Sequence, residues 1–112
     1  MDRFFQMSDL VASRAASGKR YLKFLRVPAL STGVYVLPVG EKDGQSPHRE
    51  DEVYYVVSGR ARMKIVDASG NIDDRAVTAG TVIFVEAHAE HRFHSIEEEL
   101  VLLVFFAPAE TM

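Results

Sequence analysis

Four histidines, at positions 48, 88, 91 and 94, are the side chains here best suited to bind a metal or move a proton near neutral pH. They fall into two groups. The segment SPHREDEVYYVVSG (46–59) holds His48 with Glu50, Asp51 and Glu52, and AGTVIFVEAHAEHRFHSI (79–96) holds the other three. About forty residues separate His48 from His91, so a shared site has to be assembled by folding. Cysteine is absent, which excludes disulfide frameworks, thiolate zinc sites, iron–sulfur clusters and a cysteine nucleophile. No serine sits in a nucleophile-elbow context and no glycine-rich phosphate loop occurs.

His48 and Glu52 are four positions apart. In an extended strand they would share a face but lie about 13 Å apart at ~3.3 Å per residue. Metal-bound nitrogen and oxygen sit only about 2.0–2.2 Å from the ion. Joint ligation therefore needs the chain to turn within Arg49-Glu50-Asp51, after which Glu52 begins a strand with Tyr54 and Val56 on its face. In the second group, His91 and Phe93 share one strand face and Arg92 and His94 the other. Two neutral imidazoles and a carboxylate make a ligand set for a divalent first-row metal, with positions left for water or substrate.

These residues have to be held by a small framework. The 112 residues are the size of one domain, and 47% apolar with 26% charged side chains is a globular composition. The net charge of -3 argues against nucleic-acid binding. The longest apolar run, Leu100 to Ala109, is too short to span a bilayer as a helix, and the N-terminus does not read as an export signal. A cytoplasmic protein with no membrane partner is expected. Residues 1–20 read as a helical segment, with Ser8 as N-cap, Asp9 in the first turn and Gly18 as the stop. Residues 21–112 read as a β domain with strands at 21–27, 34–39, 53–57, 61–66, 75–79, 81–87, 91–96 and 100–106. Punctuation comes from PALSTG, GEKDGQSP, SGR, DASGN, AG and EEE, with DASGN a hairpin signal. This cadence predicts an all-β sandwich or barrel.

The two histidine segments resemble the two motifs of the cupin superfamily. Gly40 opens the first; Glu52 is followed by six residues and closed by Gly59. In the second, Gly80 is followed by TVIFV and EAHAEH, which puts His91 on the motif histidine. The resemblance covers about residues 40 to 95. It implies a jelly-roll (double-stranded β-helix) barrel with one short N-terminal helix. It also implies a divalent transition metal (Mn, Fe, Ni or Zn) held by His48, Glu52 and His91. The pattern departs from the family at the fourth ligand. With His48 as the second motif histidine, Ser46 occupies the first place; with His48 as the first, Glu50 replaces the second. Glu86 and His88 replace a proline and a glycine, so His88 is expected in a tight turn at positive φ.

Around this set, Glu50 reads as a solvated turn residue or a fourth ligand, His88 as a rim residue or a donor to the site, and His94 as an outward strand residue. Tyr54 and Phe93 read as cavity lining or core. Ala61, Met63 and Ile65 should face the core, with Arg60, Arg62 and Lys64 in solvent. Lys19, Arg20, Lys23 and Arg26 form a loose cationic group near the helix end. LVLLVFF (100–106) is apolar on both faces, either a covered central strand or part of a homodimer interface. Two functions fit: a metal-dependent enzyme of isomerase, dioxygenase or decarboxylase type, or a non-catalytic sensor or carrier whose barrel binds a small molecule.

Overall fold

The computed structural model describes residues 1–44 and 47–111. One helix, α1 (Met7–Ser17), precedes six strands: β1 (Tyr21–Val27), β2 (Leu30–Leu37), β3 (Asp51–Val66), β4 (Ile72–Thr78), β5 (Val82–Val85) and β6 (Glu90–Ala107). They form one antiparallel sheet in the order β1-β2-β6-β3-β4, with β5 paired to β3. The architecture is the expected jelly roll with a short N-terminal helix. Among the described residues no helix is long and apolar enough to cross a membrane.

Two pairs of expected strands are continuous. SGR lies inside β3 and EEE inside β6, because β3 and β6 pair along nearly their whole lengths and absorb both segments as bulges. Gly59 marks the bend. Its φ is 101°, and a Cβ there would run into the Glu99 carbonyl and Leu100 Cα. Opposite the bulge, Arg60 pairs with Glu97 and Glu98, so two of the three acids are held across the strands and not in a turn. β3 and β4 are joined through Asp67–Asn71 as DASGN predicts, with Asp67 Oδ1 accepting the Ser69 and Asn71 N–H groups.

The inner faces of the strands build the core. Tyr35, Leu37, Tyr54, Val56, Ala61, Met63, Phe93, Leu100, Leu102, Val104 and Phe106 are buried together, with Ile65 packed against them. Arg62 and Arg60 face outward as expected, and Arg62 pairs with Asp74. A second cluster covers the outer face. Met7, Leu10 and Val11 of α1 pack with Phe24 on Val34, Val36 and Val101. This contact explains where the helix starts. It begins at Met7, so Met7 joins the packed face, and Gln6 is the N-cap without a side-chain bond; Ser8 is inside the helix and not its cap. Gly18 ends the helix in the left-handed conformation. LVLLVFF lies in β6 between β2 and β3, covered inside by the core and partly outside by α1.

Candidate metal centre

Strand alternation places Glu52 and Tyr54 on the inner face of β3, and His91 and Phe93 on that of β6. In the ladder His91 is opposite Ile65, while Glu52 is opposite Phe106. The ligand candidates therefore start at opposite ends of the β3–β6 ribbon. The ribbon coils until its ends meet, and His91 Nε2 comes within 3.2 Å of Glu52 Oε1.

His48 reaches the same point from the segment before β3. Its carbonyl accepts the His88 N–H at 2.7 Å, and Asp51 Oδ1 accepts the Ala87 N–H at 2.9 Å. These bonds lace the 47–51 segment to the turn before β6. His88 has φ 68°, as expected in that turn; its side chain is exposed. The His48 ring sits 5.6 Å from that of His91 and 4.8 Å from Phe106, centroid to centroid. Ligand atoms of His48, Glu52 and His91 all lie within 4.8 Å of one another, a group that could hold a metal ion.

The chemistry of these donors fits a cation. His91 Nδ1 lies 3.1 Å from the Ala89 carbonyl, which can only accept, so Nδ1 carries the hydrogen and neutral His91 presents a bare Nε2 lone pair. That Nε2 and both Glu52 carboxylate oxygens are buried without a hydrogen-bond partner among the described residues. The 3.2 Å approach between them is close enough for attraction but out of line for a hydrogen bond. Buried polar atoms left this way are costly and call for an explanation. Three of them converging on one point are explained by a shared cation. Burial opposes a charge on His91, yet the Glu52 carboxylate and the Ala89 carbonyl outweigh it and hold its pKa above the ordinary value.

The remaining candidates separate. Glu50 is neither solvated nor part of the group: it is 4% exposed, and its Oε2 accepts the Thr111 hydroxyl at 3.1 Å. Ser46 lies outside the described residues. His94 faces outward and meets Asp74 at 2.9 Å. Tyr54 and Phe93 are both buried and pack edge to face beside His91.

Three residues that the sequence did not single out complete the surroundings. The chain after β6 folds back over the site: Ala109 N–H bonds the Pro28 carbonyl and Glu110 N–H bonds Ser31 Oγ. This puts Glu110 Oε2 3.6 Å from His48 Nδ1, and Oε1 3.7 Å from Lys23 Nζ. Lys23 therefore turns to the site, away from the cationic group expected at the helix end. Burial pushes the Glu110 pKa up, against the opposing pull of His48 and Lys23. Asp43 is also buried, and accepts the Tyr35 hydroxyl at 2.8 Å and the Phe93 N–H at 2.9 Å. The third is Tyr21, whose hydroxyl is buried without a hydrogen-bond partner among the described residues. A single acid in a tail after an apolar run carries no periodic signal, so Glu110 had none to offer.

A family model described as the cupin domain matches residues 33–106, two thirds of the sequence. The chain is a cupin. The matched span contains His48, Glu52 and His91, while Tyr21, Lys23 and Glu110 fall outside it. An uncharacterized protein of Streptomyces coelicolor is 43% identical over 107 residues, covering 96% of this chain and 97% of the relative. Among solved structures, oxalate decarboxylase of Bacillus subtilis superposes with a TM-score of 0.70 at 25% identity, over 76% of this chain and 22% of that one. Fe(II)-HppE, solved with an alternative substrate, gives a TM-score of 0.64 at 23% identity, over 77% of this chain and 48% of its own. The cupin thus spans under a quarter of the decarboxylase chain and about half of HppE.

Proposed function

We propose that this cupin is a metal-dependent enzyme that binds a small oxygen-bearing compound in its barrel, with the metal held by His48, Glu52 and His91. The observation that carries this reading is the set of unpartnered buried atoms, Glu52 Oε1 and Oε2 and His91 Nε2, converging beside His48. Two imidazoles and one carboxylate are the donor set of non-haem iron(II) sites with open positions, and iron(II) is the first candidate; the HppE neighbour carries Fe(II) by name. When bound, the metal would polarise a ligand oxygen or activate water or dioxygen, the chemistry of an isomerase, dioxygenase or decarboxylase. The protein's own part is positional. Ala89 fixes the His91 ring, Glu110 faces His48 Nδ1, Glu52 supplies the negative charge, and Phe106 and Tyr54 keep the surroundings apolar.

Metal analysis of the purified protein tests this. One divalent first-row ion per chain, lost in His91→Ala, is expected; a wild-type protein that takes up none on reconstitution refutes it. A protein that binds metal and ligand but converts nothing would be a carrier or sensor.

The chain is further proposed to form a homodimer. On the outer face Phe84, Val53 and Phe105 stand in one cross-strand row, and Val82, Tyr55 and Leu103 in the next. Phe84 and Val82 are 59% and 66% exposed. These rows contain no charge, so a second copy can meet the same patch about a two-fold axis without like-charge contact.

A further inference from the structure

Beside the candidate metal centre lies a cavity of about 180 Å³ lined by Tyr21, Tyr35, His48, Val104, Phe106 and Glu110. At roughly 30 Å³ per water it has room for about six water-sized groups. Its wall is mainly apolar and aromatic: the Tyr21 ring stands edge-on to Tyr35 and to Phe106 at 6.3 and 6.5 Å. Tyr35 donates its hydroxyl hydrogen to Asp43.

The Tyr21 hydroxyl is buried, with no hydrogen-bond partner among the described residues. Its position is built in. The ring lies across Gly33, where any Cβ would overlap it, so the missing side chain on β2 makes the space for the phenol. Burial first, and then the Glu110 and Glu52 carboxylates, push the Tyr21 pKa up, so the group stays a hydrogen-bond donor. A buried phenol on a cavity wall, with a hydrogen still to donate, calls for an acceptor from outside the chain. The opposite need stands on the same wall. Lys23 Nζ and His48 Nδ1 approach the Glu110 carboxylate only to 3.7 and 3.6 Å, beyond hydrogen-bond length, so its oxygens keep lone pairs for a ligand hydrogen.

Three kinds of polar group could enter, and charge and hydrogen bonding separate them. The carboxylates whose fields reach Tyr21, Tyr35 and Glu110 are Glu50, Glu52, Asp43 and Glu110 itself. Lys23 answers one of them, and Arg20, which also reaches Tyr35, is engaged by Glu41 at 2.9 Å. With neutral imidazoles the balance is about -3, and a divalent ion at His48, Glu52 and His91 brings it only to about -1. An anion therefore meets no positive surplus, with or without metal, and it brings no hydrogen for Glu110. An ammonium has no lone pair for the Tyr21 hydrogen, and Lys23 already holds the cation's place beside Glu110. A hydroxyl both accepts and donates, carries no charge, and leaves the apolar wall of Val104 and Phe106 to a hydrocarbon chain.

We propose that this cavity binds a short-chain uncharged alcohol, whose hydroxyl oxygen accepts the Tyr21 hydrogen, whose own hydrogen goes to Glu110, and whose hydrocarbon lies against Val104 and Phe106. Tyr21 is the specificity residue of this pocket. The proposal rests on the reading that the barrel holds a small oxygen-bearing compound and deepens it by naming the ligand class; it does not depend on the metal.

Titration of the ¹⁵N-labelled full chain, metal-free and Zn(II)-loaded, with butan-1-ol, sodium butanoate, butylammonium chloride and 1-methoxypropane, followed by amide NMR shifts at neutral pH, tests it. Butan-1-ol is expected to shift the Gly33 and Val104 amides saturably in both forms, and to bind the Zn(II) form at least tenfold more tightly than either ion. The ether has the same heavy-atom count and accepts without donating, so it should bind roughly tenfold more weakly than the alcohol. Tyr21→Phe should weaken butan-1-ol roughly threefold to tenfold, the worth of one neutral hydrogen bond, with Zn(II) affinity unchanged. Val104→Phe, which fills the cavity, should abolish the shifts. A cavity that takes up no butan-1-ol, an ion or the ether bound as tightly as the alcohol, or equal binding by Tyr21→Phe overturns the assignment. Wild-type protein that takes up no Zn(II) yet binds butan-1-ol with this selectivity overturns the metal reading and leaves this one standing.

Discussion

In metal-free protein, Glu52→Gln should raise stability, and adding metal should reverse the order. Glu52 is 1% exposed, with neither carboxylate oxygen hydrogen-bonded among the described residues and His91 at 3.2 Å to offset its charge. A buried ion costs several kcal/mol, and removing the charge while keeping the shape should recover about 1–3 kcal/mol, since the amide is still a poorly satisfied polar group. With an unfolding entropy of about 2.1 cal/mol/K per residue, 1 kcal/mol is roughly 4 °C for a chain of this length, so the metal-free variant should melt about 4–12 °C above wild type at pH 8. Metal at a hundredfold excess over Kd adds about 2.7 kcal/mol, or roughly 11 °C, to wild type and little to the variant. The gap also depends on pH. The His91 pKa is raised in the fold, so protonated His91 stabilises metal-free wild type fully below the ordinary imidazole value and progressively less as pH rises through the folded value. The advantage of the variant is therefore smallest near pH 5–6 and largest at pH 8–9. Thermal melts of chelator-treated and metal-loaded proteins across that range measure all of this. A metal-free variant less stable than wild type at pH 8, or an equal rise on metal addition, refutes the reasoning.

Glu110→Gln should lower metal affinity by about 10–100-fold, the usual effect of removing a carboxylate behind a ligating histidine; competition with a chromogenic chelator reads it directly. Gly59→Ala should cost about 2–4 kcal/mol, because the new Cβ meets the Glu99 backbone at a left-handed residue; denaturant unfolding measures the loss, and an unchanged midpoint would contradict the bend assigned to Gly59. Phe84→Glu, set in an exposed uncharged row, should turn a dimer into a monomer in sedimentation without loss of fold; a wild-type protein that sediments as a monomer removes the dimer altogether.

Much of the site was legible because strand alternation is local. Glu52 with Tyr54 and Val56, and His91 with Phe93, can be assigned to inner faces from spacing alone, and they do face inward. Spacing between the motifs says nothing of how they meet. That depends on the coiling of one long two-stranded ribbon, and Gly59, where the β3–β6 register shifts, reads locally as part of a turn. The strands run on through SGR and EEE for this reason: polar residues mark turns only where no partner strand supplies their hydrogen bonds and charges. Glu50 follows the same rule: a charged residue in RED is solvated unless a distant tail covers it, and Thr111 does.

The helix and the tail carry a further consequence for how this small barrel tolerates its centre. Three buried atoms of Glu52 and His91 without hydrogen-bond partners among the described residues work against folding, and the strands that bear them cannot relieve it without losing register with β2 or β5. Compensation has to come from elements that do not hold ligands. Met7, Leu10 and Val11 cover the outer face of β2 and β6, and residues 109–111 are tied to Pro28, Ser31 and Glu50 over the inner mouth. Both lie outside the span matched by the cupin family. Removing either should therefore weaken metal binding and stability together, whereas replacing Glu52 separates the two; that contrast distinguishes a support of the centre from a member of it.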